Sequence, residues 1–385
     1  MNHTFAPTTL KKAEVFVFRA PITTPVRTSF GIMHDRPAVL VRLEDADGAH
    51  GWGEVWCNFP ACGAEHRGRL LETVFLPLLI GKTFASPEEV FALLTAKSHV
   101  LRLQTDEPGP IAQCIAGLDV AMWDLLSRRE NKPLYEVLGA KNCQGVPAYA
   151  SGINPVDTLA TVERCRREGY TSFKFKIGFD AVRDMRNIEE VSASLRPGET
   201  FAIDVNQAWD LPTALESVAR LRDYAIMWLE EPLPCDTHFS QWKILASHCP
   251  VPLAAGENFR SDEVYREALA HAWLGVIQPD ICKWGGISRT LPIARDILAH
   301  GIRYCPHYLG GGIGLMASAH LLAAVGGDGS LEVDNNPNPL RTMLAHPYPE
   351  LKDGHFQLSS APGLGVEPQL DELTSLRTFY TQCAS

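Results

Sequence analysis

Apolar and polar positions along this chain fall into two regimes, with the change near residue 140. In the first regime Val15-Phe-Val-Phe18 and Ala38-Val-Leu-Val-Arg-Leu43 are apolar runs of strand length. Asp47-Gly48 then leads into a third run, Gly51 to Trp56. Asp-Gly between apolar runs marks a hairpin, so this part reads as a small antiparallel sheet. The segments 23–35 and 57–63 are too long for tight turns and are candidates for a lid. Helical spacing follows over roughly 64–79, 86–104 and 109–130; in the last, Ile111, Ile115, Leu118, Met122 and Leu125 form one apolar stripe.

Beyond Gly139 short apolar runs alternate with capped helices. Strands are expected near 146–151, 171–177, 201–206, 226–231, 252–257, 275–280, 302–307 and 331–334. Asn154-Pro-Val-Asp, Asp210-Leu-Pro-Thr and Ser261-Asp-Glu-Val each have the composition of a helix start. Strand alternating with helix implies parallel strands with helical crossovers, closed as a barrel or open as a doubly wound sheet. No GxGxxG follows the first strand, and a charged residue recurs at nearly every strand end. Both facts favour the barrel, whose site collects residues from many strands at one face. The expected domains are residues 1–140, 141–350 for the barrel, and 351–385 as an extended return onto the first.

Composition narrows the class. The chain has 385 residues, 45% hydrophobic and 21% charged, with a net charge of −10. That balance suits a globular enzyme and argues against a nucleic-acid partner. The first residues lack the apolar core of a signal peptide and no run reaches the length of a membrane span, so a cytoplasmic location is expected. Ten cysteines without a CxxC pair read as buried small residues of a reducing compartment.

Candidate chemistry starts at Thr171-Ser-Phe-Lys-Phe-Lys-Ile-Gly178, where Lys174 and Lys176 share one face of a strand. After Lys176 come Asp204, Glu230, Glu257, Asp280, His307 and Glu332, each 23 to 28 residues from the one before. Asp204, Glu230 and Glu257 converging without a partner would repel, and a divalent cation with oxygen ligands, magnesium, resolves that. Glu231 competes with Glu230, since only one of two adjacent residues can point inward. Crowding of the two lysines is expected to depress one of them and make it a base. Asp280 would orient His307. Glu332 would stay protonated in an apolar site, with Asp334 as its rival. A cation for a carboxylate, flanked by a base on one face and a base or acid on the other, is equipment for taking a proton from the carbon next to that carboxylate.

This ordered set of motifs resembles the mandelate racemase group of the enolase superfamily over almost the whole chain. The resemblance implies a (β/α)7β modified TIM barrel with an N-terminal α+β capping domain, completed by the C-terminal tail, whose loops close over the site. It implies Mg2+, Lys176 as one base with Lys174 tuning it and touching the substrate carboxylate, and His307 with Asp280 as the opposing base or acid. It also implies Asn206 beside the metal ligand, Ser151 at the carboxylate, and a homo-oligomer. A muconate lactonising enzyme would place a lysine at the end of the sixth barrel strand, where this chain has Asp280; Lys283, three residues on, reads as a loop residue.

Proton abstraction has several outcomes. Loss of a neighbouring hydroxyl gives a sugar-acid dehydratase (a carbon–oxygen lyase), the leading expectation. Return of the proton to the other face gives a racemase or epimerase. A noncatalytic barrel binding metal and carboxylate is the third reading. The loop Trp56-Cys-Asn-Phe-Pro-Ala-Cys62 reads as apolar and favours an apolar 2-hydroxy acid, while Arg27 and His34, with Arg260, restore the polar case.

Overall fold

The computed structural model describes residues 4–28, 31–141, 143 and 145–385, without the side chains of Arg27 and Thr28. The assignment of Arg27 to substrate binding therefore lies outside the described residues. β1 (Thr8–Thr28), β2 (Gly31–Asp45) and β3 (His50–Val55) pair antiparallel, and the short β4 (Thr83–Phe84) pairs with the start of β1. α1 (Gly63–Leu70), α2 (Pro87–Thr105), α3 (Pro108–Arg129) and α4 (Leu134–Val137) follow. The loop expected at 23–35 is instead the far end of a β1–β2 arm, with Val26 opposite Met33 and a register break between Pro21 and Val26. Pro21 and Pro25 remove ladder donors there, which is why no strand pattern is legible.

α3 lies directly on β3 because glycines line the contact. A Cβ at Gly53 would stand 1.9 Å from the Gly117 carbonyl oxygen, and one at Gly51 would stand 2.2 Å from the Leu125 nitrogen. The helix is thereby buried along nearly its whole length.

The second unit is a (β/α)7β barrel. Its strands are β5 (Val146–Ile153), β6 (Ser172–Lys176), β7 (Thr200–Asp204), β8 (Ile226–Glu230), β9 (Leu253–Ala255), β10 (Val276–Ile277), β11 (Arg303–Tyr304) and β12 (Leu331–Asp334). Between them run α5 (Thr158–Arg167), α6 (Ala181–Ser194), α7 (Leu211–Val218), α8 (Phe239–His248), α9 (Asp262–His271), α10 (Gly286–Ala299) and α11 (Gly312–Val325). Parallel ladders join β5 to β11 in order, and β12 pairs with β5 to bring the ring round. Tyr149, Ala202, Trp228, Ala254, Val276 and Cys305 form a core cluster inside the ring, distinct from the larger one that packs the helices. After α12 (Pro339–Met343), β13 (Leu351–Lys352) and β14 (His355–Phe356) make a hairpin on β5, and β15 (Arg377–Ala384) pairs with β1.

Buried carboxylates dock the first unit on the second. Glu54, at the end of β3, accepts the backbone N–H groups of Gly311 and Gly314 at 2.5 and 2.9 Å, capping α11. Asp119 of α3 accepts those of Ile287 and Ser288 at 2.7 and 3.0 Å, capping α10. A carboxylate on exposed helix N–H groups satisfies donors that have no partner within the helix and meets the positive end of its dipole. Burial outweighs those bonds for Asp119, whose carboxyl is pushed up to about 7.

Two predictions follow from these contacts. Gly53→Ala forces β3 off α3 and should cost about 2–3 kcal/mol of stability, read as a lower urea midpoint. His320 of α11 is buried, with its Nδ1 accepting the Tyr135 N–H at 3.1 Å and its Nε2 3.2 Å from the Leu364 carbonyl. Burial holds this imidazole down at about 4, from an ordinary 6.5. The unfolded chain therefore takes up a proton first as pH falls, so stability is full above pH 6.5 and declines through the window from 6.5 to 4. His320→Asn, which does not titrate, should lack about 2.5 kcal/mol of the wild-type loss between pH 7.5 and 4.5; parallel profiles would refute the assignment.

Candidate active site

β6 sets the geometry. Phe173 and Phe175 pack outward among the helices, so Lys174 and Lys176 face the barrel interior. Parallel register puts Lys176 beside Asp204 and Asp204 beside Glu230, with Lys174 beside Ala202 of the inner core. Several strand ends share one local device. Asp204 Oδ1 accepts the Asn206 N–H at 2.8 Å, Asp280 Oδ1 that of Cys282 at 2.8 Å, and Asp334 Oδ1 that of Asn336 at 3.0 Å. Each aspartate thus closes its own turn with one oxygen and keeps the other for a second partner.

Those second partners assemble the site. Asp280 Oδ2 is 2.8 Å from His307 Nδ1, and His307 Nε2 is 2.6 Å from Glu257 Oε2. Lys174 Nζ contacts Glu230 and lies 2.8 Å from Glu332 Oε1, to which the Ser151 hydroxyl also donates. Glu230 Oε2 accepts from Gln278 at 2.6 Å and from the Trp228 indole at 2.9 Å. Asn206 Nδ2 donates to Asp204 Oδ2 at 2.7 Å. One cavity is lined by Ser151, Lys176, Asp204, Asn206, Glu257, His307 and Glu332 together, with Val26 and Trp56 contributed by the first unit. Lys176 and His307 reach it from non-adjacent strands, β6 and the end of β11, with β5 and β12 between them.

Charge compensation in the cavity departs from expectation in the cause of the lysine shift and at Glu332. For Lys174 burial opposes the charge, but Glu230 and Glu332 outweigh burial and hold the ammonium well above its usual range. Lys176 is lowered, by burial first, with the Lys174 charge a smaller contributor than the opposing Asp204 and Asp334. Glu332 does not stay protonated. Burial pushes it up, yet Lys174 and His307 bring it below the ordinary carboxylate value. His307 is raised despite burial, by Glu257 and Glu332 and by its bond to Asp280.

The rivals separate cleanly. Glu231 turns away from the interior at a left-handed φ of 39°, accepting from Gln207 and Asn258 at 2.9 Å each. Asp334 forms a buried ion pair with Arg36 at 2.7 Å, tying the root of the β1–β2 arm to the last barrel strand. His34 and Arg260 are exposed, and Arg260 lines a separate groove against α2 and α3. Lys283 is a turn residue, as its sequence context implies, but its side chain reaches a place the sequence did not show. It lines the cavity, with its Nζ 2.9 Å from Glu257 Oε1 and 3.3 Å from Asn258 Oδ1, under the Trp56 ring at 5.0 Å. Its backbone N–H bonds to Asp280 Oδ1 at 3.1 Å, so the turn closed by Asp280 aims it. The Asp-x-x-Lys spacing was the available signal.

Asp204, Glu230 and Glu257 are close enough for their charges to act on each other: Asp204 is pushed up to about 7, by burial first and by Glu230 next. In the conformation described each is turned onto protein partners, and among the described residues no group of three or more His, Cys, Asp or Glu is arranged as a coordination shell. The donor set itself fits a hard divalent cation, being three mutually repelling oxygen-only side chains from the ends of neighbouring strands. Among the described residues no helix is long and apolar enough to cross a membrane.

The arrangement agrees with what the chain is similar to. Residues 12–139 match the mandelate racemase / muconate lactonizing enzyme N-terminal domain, and residues 157–373 match the enolase C-terminal domain-like family. A mandelate racemase/muconate lactonizing enzyme from Bordetella bronchiseptica RB50 is 50% identical, with a TM-score of 0.90 over 96% of this chain and 100% of that one. A Bradyrhizobium enolase crystallised with magnesium and mandelic acid is 27% identical, with a TM-score of 0.84 over 97% of this chain and 99% of that one. The D-galactarolactone cycloisomerase of Agrobacterium fabrum is 29% identical over 92% of this chain and 95% of its own. Other relatives include sugar-acid dehydratases and a racemase. With both of its units matched and the barrel-end residues in place, the chain belongs to the mandelate racemase/muconate lactonizing enzyme family of the enolase superfamily.

Proposed function

We propose that this enzyme removes the α-proton of a carboxylate substrate with the help of magnesium, and that its reaction is dehydration of a sugar acid to a 2-keto-3-deoxy acid. The observation that carries the reading is that Lys176 and His307 line one cavity from separated strands, with Asp204 and Glu257 in its wall and Glu230 beside Asp204 on the next strand. Asp204, Glu230 and Glu257 would hold the cation, which supplies positive charge for a substrate carboxylate as negative charge builds up on it. Lys174 and Ser151, which both bond to Glu332 in this conformation, would turn from it to meet the same carboxylate on the β5–β6 side.

Lys176, buried and lowered, takes the α-proton on Nζ. The electron pair left on the α-carbon forms the new double bond as the neighbouring carbon–oxygen bond breaks. His307, which Asp280 holds by Nδ1, delivers the Nε2 proton to the departing hydroxyl, and water leaves. The enol then becomes the 2-keto acid. A second reading, isomerisation, is favoured by the similarity to a cycloisomerase and to racemases. There His307 gives a proton to the opposite face of the α-carbon, whose electron pair forms the new C–H bond, and the neighbouring hydroxyl stays in place.

The test is α-proton exchange in deuterated water with magnesium, run across mono- and diacid sugars. Lys176→Ala should lower both exchange and product formation by about 10³-fold or more, since it removes the base. His307→Asn should keep exchange and lose product. Wild-type turnover by Lys176→Ala would remove that lysine from the mechanism, and a product that retains the substrate's α-hydrogen would end the reading altogether. Separately, Asp204→Asn should weaken magnesium binding by about tenfold or more in a calorimetric titration; an unchanged affinity would refute its role as a ligand.

A further inference from the structure

The cavity carries hydrogen-bond donors at two ends. On the β5–β6 side stands Ser151, with Lys174 buried behind the lining, the groups assigned above to the carboxylate whose neighbouring carbon reacts. On the β10 side stand Lys283 and Trp56, to which the reaction gives no task. The backbone N–H of Trp56 bonds to the Cys282 carbonyl at 3.4 Å, so the wall from the first unit is fixed to the very turn that presents Lys283. The Lys283 ammonium has three N–H bonds and finds two protein acceptors, Glu257 Oε1 and Asn258 Oδ1. Its side chain is 11% exposed, and it faces the cavity. Trp56 lines the same cavity, and its indole Nε1 is buried and has no hydrogen-bond partner among the described residues. An unpaired buried N–H is costly unless a ligand satisfies it.

We propose that Lys283 and Trp56 form the recognition point for the far end of the substrate, and that this end is a second carboxylate. Two N–H donors, one of them cationic, suit a group that only accepts hydrogen bonds; a terminal CH2OH must also place its own proton, and the nearby acceptors, Glu257 and Asn258, are already engaged. The substrate class is thereby narrowed from sugar acids in general to diacids. The proposal rests on the α-proton reading above.

The experiment uses matched pairs, each an aldonic acid and the aldaric acid of the same configuration, which differ only in the terminal group. Wild type should favour the diacid by about tenfold or more in kcat/KM, and Lys283→Met should bring the ratio close to one. Trp56→Phe keeps a ring over the ammonium and deletes one N–H, and should lower the ratio partway; Lys283→Arg should recover part of it. A wild-type ratio at or below one, or a ratio that Lys283→Met leaves in place, overturns the proposal. Equal losses on both members of a pair would make Lys283 a support for Glu257 and would overturn it too. If no acid exchanges its α-proton, the reaction reading is what has failed. Calorimetric binding of the paired acids to wild type and Lys283→Met then still decides the far-end assignment.

Discussion

The constraint on which this structure depends is the neutralisation of buried charge at one end of the barrel. Lysines 174, 176 and 283 and His307 share that space with Asp204, Glu230, Glu257, Asp280 and Glu332, and nearly all are withdrawn from solvent. Breaking one partner of such a network leaves an uncompensated charge behind. The strands answer by pairing opposite signs across neighbouring ends: Lys174 with Glu230 and Glu332, His307 with Asp280 and Glu257. Protonation is then an outcome of position. Two lysines two residues apart on one strand are pushed in opposite directions, because one has two carboxylates within reach and the other is dominated by burial.

The same means joins the two units. Glu54 and Asp119 reach from the first unit onto the first turns of α11 and α10, helices whose preceding turns carry His307 and Lys283. A carboxylate that leaves water to cap a helix gives direction as well as stability, since several N–H groups must be met at once. The glycines between β3 and α3 allow the approach, and Asp124 extends it to the tail by accepting from Trp52 and Leu364. The wall of the cavity that carries Trp56 is therefore held in register with the barrel rather than merely laid over it.

Much of this was legible in the chain. Period-two alternation gave β6 and its inward lysines, the spacing of acids gave the ring, and the helix starts at Asp210 and Ser261 stand where their composition put them, each side chain accepting an N–H of the first turn. What was not legible depends on distance in space. β9, β10 and β11 are only two or three residues long, so Glu257, Asp280 and His307 sit in the turns beyond them, where periodicity carries no information. Glu332 was misjudged because its ionisation depends on Lys174, a residue from the far part of the chain. The cavity-facing side chain of Lys283 was not legible because its direction is set by the turn that Asp280 closes.

The sheet of the first unit is completed by β15, which lies along β1 from Lys12 to Phe18. The chain emerges from the ribosome in order, so this strand arrives only after the entire barrel has been made. Until then β1 presents a row of unpaired amide groups on that side, an invitation to foreign strands. The amino-terminal sheet can therefore close only after residues 377–384, and with them the whole barrel, have been made.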